Sequence, residues 1–152
     1  MKVVFALLPA LISAVLADVP TGCVTLWHVN YGNYLVAANR YDKNHRHVKD
    51  AERSEQWKIF RAGDGYRIKH ADLNEYLFAS YWTFANNNHV YLWIPKTDEE
   101  SDKWTIEQED KYYTIRNNKR GSCLFVGSLH WIYAKKAPMC NNKMFYWKIE
   151  RC

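Results

Sequence analysis

Apolar and polar positions alternate with a period of two in short segments spread along the chain. Val24-Thr25-Leu26, Tyr66-Arg67-Ile68 and Tyr113-Thr114-Ile115 are clear cases, and alternation of this kind marks a half-buried strand. Each is followed by a second phrase, built on Tyr34-Leu35, Tyr76-Leu77 or Cys123-Leu124, and by a third centred on Val48, Val90 or Ile132. A fourth closes each series: Trp57-Lys58-Ile59, Trp104-Thr105-Ile106 and Trp147-Lys148-Ile149. The tryptophans of that last phrase are 47 and 43 residues apart, and the Tyr-Leu or Cys-Leu steps 42 and 47. Four strand phrases in one order, three times over, are the signature of an internal repeat. Helical periodicity is absent from every window long enough to show it.

The repeats run from about 23 to 60, 65 to 107 and 111 to 150. Their turns carry residues suited to positive φ: Asn30 to Asn33, Gly63-Asp64-Gly65, and Asn117 to Gly121. Asn39 to His47 reads as a polar loop, Glu52 to Gln56 as a short helical turn, and Lys96 to Lys103 as an acidic loop. His89 to Ile94 and Leu129 to Ala134 read as third strands, with Tyr81, Trp82 and Trp131 next to loops and exposed. One unit of this length buries too little apolar surface to stand alone. Three of them predict an all-β fold, a β-trefoil of twelve strands: a six-stranded barrel capped by three hairpins, with the repeated Trp and Ile turned inward.

The N-terminus changes the picture of where the chain works. Lys2 precedes an apolar run from Val3 to Leu16, and Val15-Leu16-Ala17 offers a small-residue cleavage site. The run is too short to span a bilayer, so residues 1–17 are expected to be a secretory signal peptide and 18–152 a single domain, with no membrane insertion. Losing Lys2 leaves 20 basic against 16 acidic residues, too small an excess to imply a nucleic-acid partner. Four cysteines in an exported chain predict two disulfides. If the repeats close into a ring, the first and last strands are neighbours. That pairs Cys23 with Cys152, and leaves Cys123 with Cys140 inside the third repeat.

The repeated Trp, the spacing of Cys123 and Cys140 and the phrase Val90-Tyr91-Leu92-Trp93 resemble ricin-type β-trefoils, ricin B-like in fold, over essentially all of residues 18–152. A chain of this size with seven tryptophans and four cysteines, starting Asp18-Val19-Pro20, is also similar to the cysteine- and tryptophan-rich 16 kDa salivary proteins of Culex mosquitoes. These resemblances imply a secreted salivary lectin that binds host cell-surface glycans or glycoproteins and modulates haemostasis or immunity during blood feeding. A monomer is expected. Two other readings use the same scaffold. One is a protein-binding antagonist or protease inhibitor acting through Asn39 to His47 or Lys96 to Lys103. The other is a charge-led binder of heparin-like chains through Lys119, Arg120, Lys135 and Lys136.

Catalytic motifs are missing, and with the cysteines paired none remains as a nucleophile; no enzyme activity and no cofactor are expected. His45 and His47 share a strand face but lack a third ligand, and Asp98, Glu99, Glu100 and Asp102 lack a calcium-loop pattern, so no metal is expected. A sugar site needs an aromatic shelf with planar polar groups at its edge. Carried over from the ricin type, the shelf is Trp93, with Tyr91 on the same strand face and Ser101 and Asp102 in the polar positions; Trp131 and Tyr133 are secondary candidates. The Asp of the ricin pattern on the second strand is Val36, Phe78 or Phe125 here, and Glu55, Asp102 and Phe145 stand where its Gln-x-Trp begins. The expected pocket is therefore shallower and more aromatic.

Overall fold

In the computed structural model, residues 19–94 and 100–152 are described. The expected signal peptide and the loop positions Asp98 and Glu99 lie outside them. Twelve strands run through the described residues: β1 (Gly22–His28), β2 (Asn33–Arg40), β3 (His45–Ala51), β4 (Trp57–Ala62), β5 (Gly65–His70), β6 (Tyr76–Phe84), β7 (Asn87–Trp93), β8 (Trp104–Glu109), β9 (Tyr112–Asn117), β10 (Ser122–Val126), β11 (Ile132–Lys136) and β12 (Trp147–Arg151). The fold is all-β. Every paired strand is antiparallel, and pairing leads from β1 to β4, β5, β8, β9 and β12 and back to β1. A closed ring leaves none of the six strands as a free sheet edge, with β5–β8 and β9–β12 meeting at one residue pair each. The remaining strands form the hairpins β2–β3, β6–β7 and β10–β11. β7 pairs with β6 along one edge, and its other edge joins β11 at Asn87 to His89 and β3 at Tyr91 to Trp93; a single bridge, Lys49 to Trp131, links the first and third hairpins.

The core forms where the inward face of the ring meets the inward face of the hairpins. Leu26, Ile59, Ile68, Ile106, Ile115 and Ile149 come from the ring, and Leu35, Leu77, Leu92, Leu124 and Ile132 from the hairpins. Trp57, Trp104 and Trp147 are fully buried among them. An indole N–H in such a place needs an acceptor. Each donates to a main-chain carbonyl of a hairpin strand: Trp57 Nε1 to Leu35 O at 2.9 Å, Trp104 Nε1 to Leu77 O at 2.9 Å, and Trp147 Nε1 to Leu124 O at 3.0 Å. The repeated phrase thus ties ring to hairpin at three places.

A second recurrence braces the turns out of β1, β5 and β9. His28 Nδ1 accepts the Tyr31 N–H at 3.4 Å and Nε2 donates to Met144 O at 2.7 Å. His70 Nδ1 accepts from Leu73 N at 3.2 Å and Nε2 donates to Glu55 Oε1 at 3.0 Å. Asn117 Oδ1 accepts from Arg120 N at 3.0 Å and Nδ2 donates to Ser101 O at 2.7 Å. The disulfides are Cys23–Cys152 and Cys123–Cys140, and the first is seconded by Cys152 N–H donating to Cys23 O at 3.0 Å.

Four local expectations are corrected. The loop expected over Asn39 to His47 shrinks to 41–44, because Asp42 Oδ1 accepts from Asn44 N and His45 N and folds a tight turn; β3 then pairs with β7 and draws the polar run His45-Arg46-His47 into a strand. Glu52 to Gln56 forms no helix. Tyr81 and Trp82, expected next to loops, lie within β6. Leu129 and His130 belong to a 3-10 turn, Ser128–His130, since both have positive φ (57° and 64°), which ends extended structure. Gly127 precedes that turn because a Cβ there would sit 2.4 Å from the Tyr133 ring.

Candidate functional site

The hairpins carry a second layer of side chains outside the main core, and it is almost wholly aromatic. On β6 and β7, Phe78 stacks on Trp93 with ring centroids 4.0 Å apart, and Tyr91 and Trp82 complete the group. Tyr41 stacks on Tyr91 at 5.7 Å, and His45 meets the Trp82 ring edge-on at 5.2 Å. The layer continues through His89 on Tyr133 (4.8 Å) and His47 on Trp131 (4.6 Å). Burial sets its proton chemistry. The Tyr91 phenol is pushed up to about 12, first by loss of water and then by Tyr41 and Tyr133 nearby. Burial also lowers the pKa of His47 and His89, with the charge of His47 adding to the effect on His89. At neutral pH both imidazoles are uncharged.

Two cavities open in this layer. The smaller, about 170 Å³, is walled by Phe78, Trp82 and Trp93, with Tyr81 at its rim; Asn44, His45, Ser80 and Arg120 supply its polar edge. Three separated stretches of chain meet there: the tip of the first hairpin, the second hairpin, and the braced turn after β9. His45 is held by Asp42, whose Oδ1 lies 2.9 Å from Nδ1, and that bond keeps the Asp42 carboxyl below its usual range. The larger cavity, about 530 Å³, has the corresponding construction one repeat on. Phe125 and Tyr133 wall it, Phe84 and Asn87 come from the second hairpin's end, and Tyr31 from the braced turn after β1. His130 borders it, tied to buried Asp50 at 2.8 Å, while Asn33 Nδ2 donates to the other Asp50 oxygen at 2.9 Å.

The site residues predicted from the sequence fall in two groups. Tyr91 and Trp93 come together in one cluster, but each is only 4% exposed, so Trp93 offers an edge as part of a cavity wall and no open stacking face. Ser101 and Asp102 are fully buried and do not line the cavity that Trp93 lines. Asp102 Oδ2 instead accepts from Arg67 Nε at 3.2 Å, an ion pair between the 3-10 turn Glu100–Asp102 and β5. Ser101 O accepts from Asn117 Nδ2 in the same way, so both residues brace this turn away from the cavity's edge. Trp131 is half-buried, and Tyr133 is buried and forms part of the larger cavity's wall. Asn44, His45, Ser80 and Arg120 were missed as a set. The shared face of His45 and His47 and the basic position of Arg120 were visible in the sequence, but nothing in it joins them across 75 residues. Among the described residues no cluster of three or more His, Cys, Asp or Glu could hold a metal ion.

The arrangement offers apolar ring faces and edges flanked by an amide, an imidazole, a hydroxyl and a guanidinium. Such a surface can hold the C–H side of a sugar ring while its edge bonds to hydroxyls.

Residues 56–130 match a family described as ricin-type beta-trefoil lectin domain-like. No curated protein sequence matches the chain. A salivary protein from the mosquito Culex quinquefasciatus, of the cysteine and tryptophan-rich (CWRC) family, is 33% identical over 90% of this chain and 97% of its own, with a TM-score of 0.82. A second from the same mosquito and family is 29% identical over 89% and 96%, with a TM-score of 0.81. A designed threefold-symmetric protein, ThreeFoil, is 16% identical over 86% of this chain and 99% of its own, with a TM-score of 0.71, a likeness of fold alone. Paired cysteines, buried tryptophans and an identity that spans nearly the whole described structure agree: the chain belongs to the CWRC family of salivary proteins.

Proposed function

We propose that this protein is a secreted, non-enzymatic lectin of β-trefoil architecture that binds host glycans in saliva. One observation carries the reading: the cavity in which aromatic walls from Phe78, Trp82 and Trp93 meet the polar edge of Asn44, His45, Ser80 and Arg120. The lectin-like description of the matching family and the salivary origin of the relatives support it. The trefoil assignment is supported by the ring of six strands, the three hairpins and the threefold recurrence of the Trp-to-carbonyl bond. In this reading residues 1–17 are the export signal and 18–152 one domain, acting as a monomer on glycans or glycoproteins rather than on nucleic acid. Among the described residues no helix is long and apolar enough to cross a membrane. Trp93 forms part of the wall with Tyr91 packed behind it, Trp82 and Tyr81 face the ligand, Ser101 and Asp102 brace the turn behind, Tyr133 walls the neighbouring cavity, and Trp131 lies against His47.

A glycan array followed by calorimetry tests this. Trp82→Ala should weaken binding by about 1–3 kcal/mol, on the scale of one large apolar contact, and leave the fold intact because Trp82 is only half-buried. If no glycan on the array binds the protein, the lectin reading fails.

A further inference from the structure

The brace that recurs after β1, β5 and β9 fixes the backbone of the residue three positions on: Tyr31, Leu73 and Arg120. Two of these stand at a cavity, Tyr31 at the larger and Arg120 at the smaller. Arg120 is the charged member of the three. Its guanidinium is also oriented, since Nε donates to Ala79 O on β6 at 3.2 Å. Among the described residues its terminal amino groups have no protein acceptor, and no carboxylate lines the cavity. The acid of the adjoining turn, Asp42, is turned to His45 and to the amides of Asn44 and His45. A cation held at the backbone and at Nε, beside aromatic walls, keeps two parallel N–H donors for two oxygens of an oxyanion, the geometry in which a guanidinium excels over an ammonium.

We propose that the smaller cavity takes a saccharide bearing an anionic group, a carboxylate or a sulfate, and that Arg120 is the residue that selects it. The inference rests on the lectin reading and narrows it to a ligand class. A neutral sugar would leave the guanidinium paired with water alone, whereas an acidic one exchanges that water for a charge-assisted bidentate contact. The larger cavity is an internal control: Tyr31 occupies the corresponding place, and no Lys or Arg lines it.

Calorimetry with 3′-sialyllactose and sodium glucuronate for carboxylates, galactose 3-sulfate for sulfate, and lactose as the neutral congener tests the proposal. The wild-type protein should prefer the charged ligands, and the two anion types separate by which arm gains more. Arg120→Gln should cost the charged ligands about tenfold or more in affinity, as expected for losing a hydrogen bond to a charged group, and should cost lactose far less, so that the ratio of charged to neutral binding collapses. Arg120→Lys keeps the charge without the fork and should fall between; it also serves as the test variant if the glutamine protein melts early. Tyr31→Ala should not alter the ratio of charged to neutral binding. Equal binding of lactose and every acidic ligand by the wild type overturns this inference and leaves the lectin reading standing. So does retention of the preference in Arg120→Gln. Binding to no saccharide of any kind overturns both.

Discussion

Trp57, Trp104 and Trp147 perform two tasks that a single substitution can separate. Each fills a large volume at zero exposure, and each spends its N–H on a hairpin carbonyl. Trp104→Phe keeps most of the ring and deletes the donor, leaving the Leu77 carbonyl one bond short; a loss of about 1–3 kcal/mol in chemical denaturation is expected. Trp104→Ala adds a cavity and should cost about 3–5 kcal/mol. If the two variants are equally destabilised, the hydrogen bond contributes as much as the packing, contrary to this account. Trp93 differs from these three. It is buried at 4% but packs in the outer layer, on Phe78, rather than in the main core. Its sequence neighbourhood, alternating and aromatic, marked a strand residue correctly and gave no sign of which layer it joins. The reason is physical: alternation fixes the two faces of a strand, and only the neighbouring hairpin decides whether the outward face is covered.

At the level of elements, β3 and β7 meet along a register that sets His45 against Trp93 and His47 against Tyr91. That pairing half-buries polar residues which a strand of ordinary composition would leave in water, and the half-buried imidazole of His47 makes the hairpins sensitive to acid. His47 and His89 have folded pKa values below the ordinary 6.5, and so has buried His28, chiefly because burial penalises the charged ring. Well above pH 6.5 these rings are neutral in folded and unfolded chains alike, and their contribution to stability is complete. As the pH falls below 6.5 the unfolded chain takes up protons first, so stability declines until the lower folded values are reached. Melting temperatures should therefore drop between pH 6.5 and about 5, a range where carboxylates are still mostly ionised. His47→Phe combined with His89→Phe should flatten that slope. A wild-type protein whose melting point is constant over the range would show that these imidazoles are not buried.

For the molecule as a whole, closure is the dominant fact. β1 and β12 pair from Val24 with Arg151 to His28 with Trp147, and Cys23–Cys152 fastens the same seam. That disulfide closes a loop of 129 residues in sequence separation, against 17 for Cys123–Cys140. The entropy removed from the unfolded chain grows with loop length, so replacing Cys23 and Cys152 by Ala should cost more than replacing Cys123 and Cys140, within about 2–5 kcal/mol for each native bridge. Denaturant titration of the two double variants measures the difference. A non-reducing peptide map that joined Cys23 to Cys123 or Cys140 would contradict the closure itself.

The amino-acid sequence by itself determined the all-β class, the order of the strand segments and the inward set of Trp, Ile and Leu, because these follow from a period of two and a phrase repeated along one chain. It also contained the cysteine pairing, once the ends of a ring are required to meet. Which aromatic rings reach a ligand was decided only in three dimensions. Tyr81 is 68% exposed while Tyr91, ten residues on, is closed over by Tyr41 and His89. The polar edge of the smaller cavity draws on Asn44, Ser80 and Arg120 from three separate repeats, and no local pattern links them. Local periodicity records how each segment meets the core. The cavities lie between segments, and their lining is set by how the hairpins lean on one another.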